Sequence, residues 1–121
     1  MDDRRLLGDW GEDATADWLL RRGYRLVERG FRCRWGEIDL IALAPEGILC
    51  FVEVKTRSTS RFAQAREAVT PAKQHRLRCA AGLYLAQSRL DCPCRFDVAE
   101  VYPARGARPG EAEIRYIINA F

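Results

Sequence analysis

Asp39, Glu53 and Lys55 stand at alternate positions of two apolar runs, Gly36 to Leu43 and Ile48 to Lys55, and Glu37 precedes Asp39 in the same phase. Side chains of a β-strand alternate faces with period two. Glu37 and Asp39 therefore share one face of the first run, and Phe51, Glu53 and Lys55 share one face of the second. Ile38, Leu40, Val52 and Val54 take the opposite face, which belongs in the core. Between the runs, Pro45-Glu46-Gly47 suits a three-residue hairpin loop, with Pro opening a type I turn and Gly in the left-handed conformation. Ala44 then faces Ile48, Asp39 faces Glu53 and Glu37 faces Lys55, with facing Cβ atoms about 4.5–5.5 Å apart. A four-residue loop would instead send Asp39 and Glu53 to opposite faces.

Two facing carboxylates repel and call for a positive partner. Mg²⁺ suits them, because it takes oxygen ligands, commonly one or two carboxylates completed by water and substrate phosphates. Such an ion activates a bound water and stabilises phosphoryl charge, while an ammonium such as that of Lys55 neutralises a scissile phosphate. The chemistry that these types and spacings serve is phosphodiester hydrolysis. The same residues also occur as plain salt-bridge networks in half-buried sheets, and residue types alone leave both readings open.

A third carboxylate comes from the first predicted helix, about Asp3 to Arg22, with Gly23 as its C-terminal stop. At 100° per residue, Leu6, Leu7, Trp10, Ala14 and Trp18 cover one side, and Asp9, Asp13 and Asp17 line a polar arc. Glu12 lies apart from that arc, among Gly8, Gly11, Thr15, Ala16 and Leu19, small and apolar positions that let a helix approach a sheet closely. A carboxylate there needs a partner against desolvation. That partner is an arginine, or, with Asp39 and Glu53, a cation.

The remaining elements frame this centre. Tyr24 to Arg32 reads as a strand interrupted by Gly30, and Cys33 to Gly36 as the turn into the central hairpin, where Arg34 and Trp35 are placed to grip phosphate or stack on a base. After Lys55, the polar and basic stretch Thr56 to Phe62 offers Arg57 and Arg61 to a phosphate chain. Thr70-Pro71 opens a second helix, with Thr as N-cap and Pro at the first position, running to about Ser88 and burying Leu77, Ala80, Ala81, Tyr84 and Leu85. Lys73 sits in its first turn, where a cation opposes the helix dipole unless an anion binds. His75, the only histidine, reads as a surface residue with no adjacent nucleophile. Two more strands follow, Arg95 to Tyr102 and Ile114 to Ile118, separated by an exposed loop from Pro103 to Gly110. The order α-β-β-β-α-β-β predicts a single α/β domain, residues 1–121, with a mixed central sheet flanked by helices.

Composition narrows the classes. At 121 residues, 48% of them hydrophobic and 31% charged, the chain has the make-up of one soluble globular domain. No run of eighteen apolar residues is present to span a membrane, and the first residues lack the apolar stretch of a signal peptide, so the chain reads as cytoplasmic. A net charge of +3 argues only weakly for nucleic acid. More telling, Lys55 and Lys73 are the only lysines among 20 basic residues. Cys33, Cys50, Cys79, Cys92 and Cys94 form no even set, and Cys92-Pro93-Cys94 has no second pair to complete a zinc site.

Together, Gly11-Glu12, Gly36-Glu37-Ile38-Asp39-Leu40-Ile41, Phe51-Val52-Glu53-Val54-Lys55-Thr56-Arg57 and Thr70-Pro71-Ala72-Lys73-Gln74 closely resemble the YraN-like family of small bacterial proteins. That family in turn resembles the restriction-endonuclease-like PD-(D/E)xK nucleases, particularly archaeal Holliday-junction resolvases. By position, Asp39 matches the motif Asp, Glu53-Val54-Lys55 the (D/E)xK element and Glu12 the first-helix glutamate, while Ile38 replaces the motif proline. The resemblance implies a restriction-endonuclease-like fold and a Mg²⁺ (or Mn²⁺) site on Asp39, Glu53 and Glu12. It also implies a nucleic-acid partner, DNA of branched or otherwise structured form, and it allows a homodimer that the sequence itself does not require. The alternative expectation is a nucleic-acid-binding protein that keeps the fold without the chemistry.

Overall fold

A computed structural model describes residues 3–57, 69–103 and 108–121, with the side chains of residues 3–8 left out. Helix α1 spans Asp3–Arg21, strands β1, β2 and β3 span Arg25–Cys33, Gly36–Leu43 and Leu49–Thr56, helix α2 spans Pro71–Ser88, and strands β4 and β5 span Cys94–Tyr102 and Glu113–Ile117. A short 3-10 turn, Pro109–Glu111, precedes β5. The strands lie side by side in chain order in one mixed sheet. Only β3 and β4 are parallel, as a crossover through α2 requires; the other neighbours are antiparallel. The expected order of elements and the flanked mixed sheet are both present.

Local chemistry sets the boundaries. Gly23, at φ +84°, closes α1: its N–H donates to the Leu20 carbonyl, and the Tyr24 N–H reaches back to that of Leu19 at 3.0 Å. Thr70 Oγ1 accepts from the Lys73 N–H at 3.2 Å and caps α2, with Pro71 behind it. In the β2–β3 loop the Ala44 N–H donates to the Ile48 carbonyl at 2.8 Å and Gly47 adopts φ +87°. The hairpin register follows, with Leu40 facing Val52 and Leu43 facing Leu49.

Both faces of the sheet are buried. On one, Ile41, Leu49, Phe51 and Val98 pack against Leu77, Ala80, Ala81 and Tyr84 of α2. On the other, Leu40, Ala42, Cys50, Val52 and Ala99 pack against Leu19 and Trp18 of α1. The side of α1 turned inward is centred on the small-residue arc: Gly11, Thr15, Ala16 and Leu19 are buried, whereas of the expected apolar side Ala14 is buried and Trp10 and Trp18 are only partly so. The expected apolar face through Leu6 and Leu7 lies outside the described side chains. A Cβ on Gly11 would meet Thr56 Oγ1 at 1.9 Å, so that helix turn rests directly on β3.

One expectation of strict alternation fails. Ile38 does not join Leu40; it packs with Ile41 and Phe31 on the α2 side. The phase breaks at Asp39, beside Gly30 of β1, whose φ is +68°. Glycine alone tolerates that conformation cheaply, and it lets both strands bend where the candidate centre begins.

Candidate active site

The β2–β3 ladder stops at Leu40–Val52, one step short of Asp39 and Glu53. Beyond it the strands part, and Asp39 Oδ2 accepts a hydrogen bond of 2.8 Å from the Val54 N–H. A carboxylate thus replaces a backbone carbonyl as the acceptor between the two strands. The expected facing of Glu37 and Lys55 is not realised for the same reason: Glu37 Oε2 lies 3.6 Å from Arg32 Nε, and Lys55 Nζ lies 3.4 Å from Glu53 Oε1.

Glu53 is the buried hub, its side chain 7% exposed. Its Oε1 also accepts from Lys73 Nζ at 2.6 Å, across the sheet–helix boundary. The two lysines of the chain therefore meet at one carboxylate oxygen. Lys73 stood in the sequence as a cation out of place at a helix N-terminus, and Glu53 is the anion it reaches. Burial and the neighbouring Lys73 lower the Lys55 pKa. Burial also works against the charge of Lys73, but its hydrogen bond to Glu53 prevails and raises its pKa.

Asp39 has no such cation among the described residues. Burial, followed by the charge of Glu53, pushes its carboxyl up to about 7, with Glu12 and Glu37 adding to the repulsion and the Val54 N–H opposing it. Glu12 is partly buried and held by Arg29, whose Nε lies 3.2 Å from Oε1 and whose Nη1 lies 2.6 Å from Asp13 Oδ1. Desolvation raises the Glu12 pKa despite that arginine.

The structure thus gathers Glu53, Lys55 and Lys73 in direct contact, sets Asp39 beside them, and holds Glu12 close enough for its charge to act on Asp39. Among the described residues no group of three or more His, Cys, Asp or Glu side chains stands ready to hold an ion. The two carboxylates whose charges act most strongly on one another here are Asp39 and Glu53, and Mg²⁺ commonly takes one or two carboxylates from a protein. Of the other candidate phosphate contacts, Arg34 is exposed with its guanidinium 4.9 Å over the Trp35 ring. Arg57 carries buried Nε and Nη2 atoms with no hydrogen-bond partner among the described residues. Arg61 lies outside the described residues.

Two groupings escaped sequence reasoning. His75 does have a neighbouring thiol, for Cys79 Sγ lies 3.6 Å from Nε2 one helical turn on; the spacing of four was the available signal. On the α1 side of the sheet, where Asp97 pairs with Val52, fully buried Asp97 accepts from Arg95 Nε at 3.0–3.1 Å, Tyr116 Oη at 2.7 Å and the Asn119 N–H at 3.0 Å. Arg95 Nη2 also donates to Tyr24 Oη at 2.7 Å. Burial and Asp97 raise the Tyr116 pKa, so its hydroxyl stays a donor. Nothing in Arg95-Phe96-Asp97 distinguishes it from an ordinary alternating strand.

The profile of the uncharacterised protein family UPF0102 matches residues 11–101. The chain belongs to the UPF0102 family, the YraN-like group. It is 50% identical over 118 residues to a UPF0102 protein of Symbiobacterium thermophilum, covering 97% of each chain. A UPF0102 protein of Trichlorobacter lovleyi is 42% identical over 116 residues, 95% of this chain and 89% of the relative. Among solved structures, Pyrococcus furiosus SfsA in complex with Ca²⁺ overlays 97% of this chain on 64% of its own, at 16% identity and a TM-score of 0.38. No helix among the described residues is long and apolar enough to cross a membrane.

Proposed function

We propose that this UPF0102 protein is a metal-dependent nuclease that hydrolyses phosphodiester bonds in branched or otherwise structured DNA. The observation that carries the reading is the meeting of Asp39, Glu53, Lys55 and Lys73 where β2 and β3 part. Asp39 and Glu53 are the residues that would hold Mg²⁺ or Mn²⁺, with Glu12 as a third donor once Arg29 lets it go. A cation so bound supplies an activated water and charge neutralisation at the phosphoryl group. Asp39 Oδ2 is anchored by the Val54 N–H, so Oδ1 is the oxygen left to face solvent or a ligand. Lys55 and Lys73 present two ammonium groups to one point, where a phosphate draws them from Glu53 Oε1 and is fixed between them. Arg34, exposed on the β1–β2 turn, adds positive charge for the substrate chain.

A second reading, nucleic-acid binding without chemistry, draws on one observation: Glu12 is engaged by Arg29 and the carboxylates do not form a ready triad. Incubation with junction, flap, single-stranded and duplex DNA in Mg²⁺ or Mn²⁺ separates the two. The nuclease reading requires cleavage that disappears in Asp39→Ala and in Lys55→Ala; cleavage surviving either change removes the assigned site. Salt-sensitive binding that persists in EDTA and in Glu53→Ala, with no cleavage of any substrate, establishes the second reading.

A further inference from the structure

Next to the lysine pair, a cleft of about 150 Å³ opens between the β1–β2 turn and the first turns of α2. Trp35 forms one wall, Leu77 and Ala80 the floor, and Glu37, Arg76 and Lys73 the rim. Lys73 belongs to both places, since its ammonium is the one 2.6 Å from Glu53 Oε1. The turn that carries Trp35 is two residues long, and Gly36 follows it at φ +124°, a conformation that favours glycine. The ring is partly buried against the α2-side core and meets His75 edge-on at 6.4 Å.

We infer that this cleft receives one unpaired nucleobase of a DNA strand whose phosphate lies at Lys55 and Lys73. The inference rests on the nuclease reading for the position of that phosphate. Three features select the occupant. A cavity of roughly 150 Å³ accommodates a benzene-sized ring, and a pyrimidine ring is of that size. An aromatic wall over an aliphatic floor suits a flat heterocycle, since stacking on an aromatic side chain is the sequence-tolerant way proteins hold single-stranded bases. The rim carries a carboxylate, able to accept from an exocyclic amino group, beside two cations that suit the flanking phosphates. A base within a duplex is stacked and paired and cannot enter, so the cleft selects unpaired positions such as those at flaps, forks and branch points. The proposed preference for structured DNA then has a physical origin beside Lys73.

The test uses the whole protein in EDTA, where no strand is cut, and measures affinity by fluorescence anisotropy. The probes are a labelled single-stranded pyrimidine 12-mer and a 12-mer of abasic spacers with the same backbone. The base-containing strand is expected to bind about 5- to 150-fold more tightly, the usual worth of one stacked base. Trp35→Ala should erase that difference while leaving affinity for the abasic strand unchanged. Equal binding of the two strands by the native protein, or a difference that survives in Trp35→Ala, overturns the inference. A second measurement needs no variant: irradiation of a 12-mer carrying 5-iodouracil should attach it to the peptide holding Trp35, and attachment to Trp10 or Trp18 instead overturns it. Loss of base-dependent binding with cleavage in Mg²⁺ intact refutes the cleft alone. Base-dependent binding without cleavage of any substrate refutes the nuclease reading and leaves the cleft standing.

Discussion

Asp39 is held in the fold at a cost that pH should expose. Its carboxyl is pushed up to about 7, first by burial and then by Glu53, against an ordinary value of 3.8. The folded protein therefore binds this proton more tightly than the unfolded chain does. Between those two values folding takes up a proton, so raising the pH through that window removes stability, and above pH 7 the whole penalty is in place. Three pH units at 1.36 kcal/mol each set a ceiling of about 4 kcal/mol. The carboxylate is only partly buried, and water and local relaxation reduce that figure to about 2 kcal/mol. Asp39→Asn removes the charge, matches the size and keeps an acceptor for the Val54 N–H. In EDTA at pH 8 it should stabilise the protein by about 2 kcal/mol, equivalent to about 8 °C in Tm for a chain of this length. At pH 5, a little over a third of the way from 3.8 to 7, the gain should shrink to about 0.8 kcal/mol, because the unfolded chain is already ionised there, and it should vanish only below pH 3.8. Urea denaturation of both proteins at the two pH values measures the difference directly. Adding Mg²⁺ at pH 8 should stabilise the native protein and leave the variant unmoved. A variant less stable than the native protein at pH 8, or a gain of equal size at both pH values, would refute the argument that Asp39 carries an uncompensated charge.

Lys73→Met should destabilise the protein by about 1–3 kcal/mol in EDTA, less than the loss of a sole partner, because Lys55 still faces buried Glu53; chemical denaturation reads it. Asp97→Ala should cost about 3–5 kcal/mol by stranding buried Arg95. Tyr116→Phe, which removes one of the donors to Asp97, should cost about 1–2 kcal/mol by the same measurement. Gly11→Ala should cost about 1–3 kcal/mol, because the added methyl would displace Thr56 and lift α1 from β3; a drop in Tm with an unchanged circular-dichroism spectrum is the expected result.

Much of this architecture was legible because it is encoded locally. Pro45-Glu46-Gly47 dictates the hairpin register, Thr70-Pro71 the start of α2, and Gly23 the end of α1. Period-two reading then brought Glu53 and Lys55 to one face. It failed where a backbone choice far along the chain intervenes: Gly30 on β1 breaks the phase opposite Asp39, and no pattern within β2 announces that. The parallel neighbour β4 is likewise a long-range outcome, so the partners of Asp97 were out of reach. Lys73 lies between these cases. Its partner Glu53 is twenty residues away, but a lysine opposing a helix dipole already signalled an anion nearby.

The contrast between two carboxylates of the sheet supports the proposed reading of the acidic cluster. Asp97 is completely buried, and the fold surrounds it with a guanidinium, a hydroxyl and a backbone N–H, so the same chain has the means to satisfy an interior carboxylate. At Asp39 it does not use them. That carboxyl receives a single backbone N–H, while Glu53, Glu12 and Glu37 all press upon it. Glu53 and Glu12, for their part, are matched to cations on long, rotatable side chains. Such cations can swing aside, whereas the shell around Asp97 is locked between strands. A structural network can take the form of the Asp97 shell, which the surroundings of Asp39 do not. Charge left unneutralised beside movable ammonium groups is the arrangement suited to a ligand that brings both positive and negative charge, as a metal ion with a phosphodiester does.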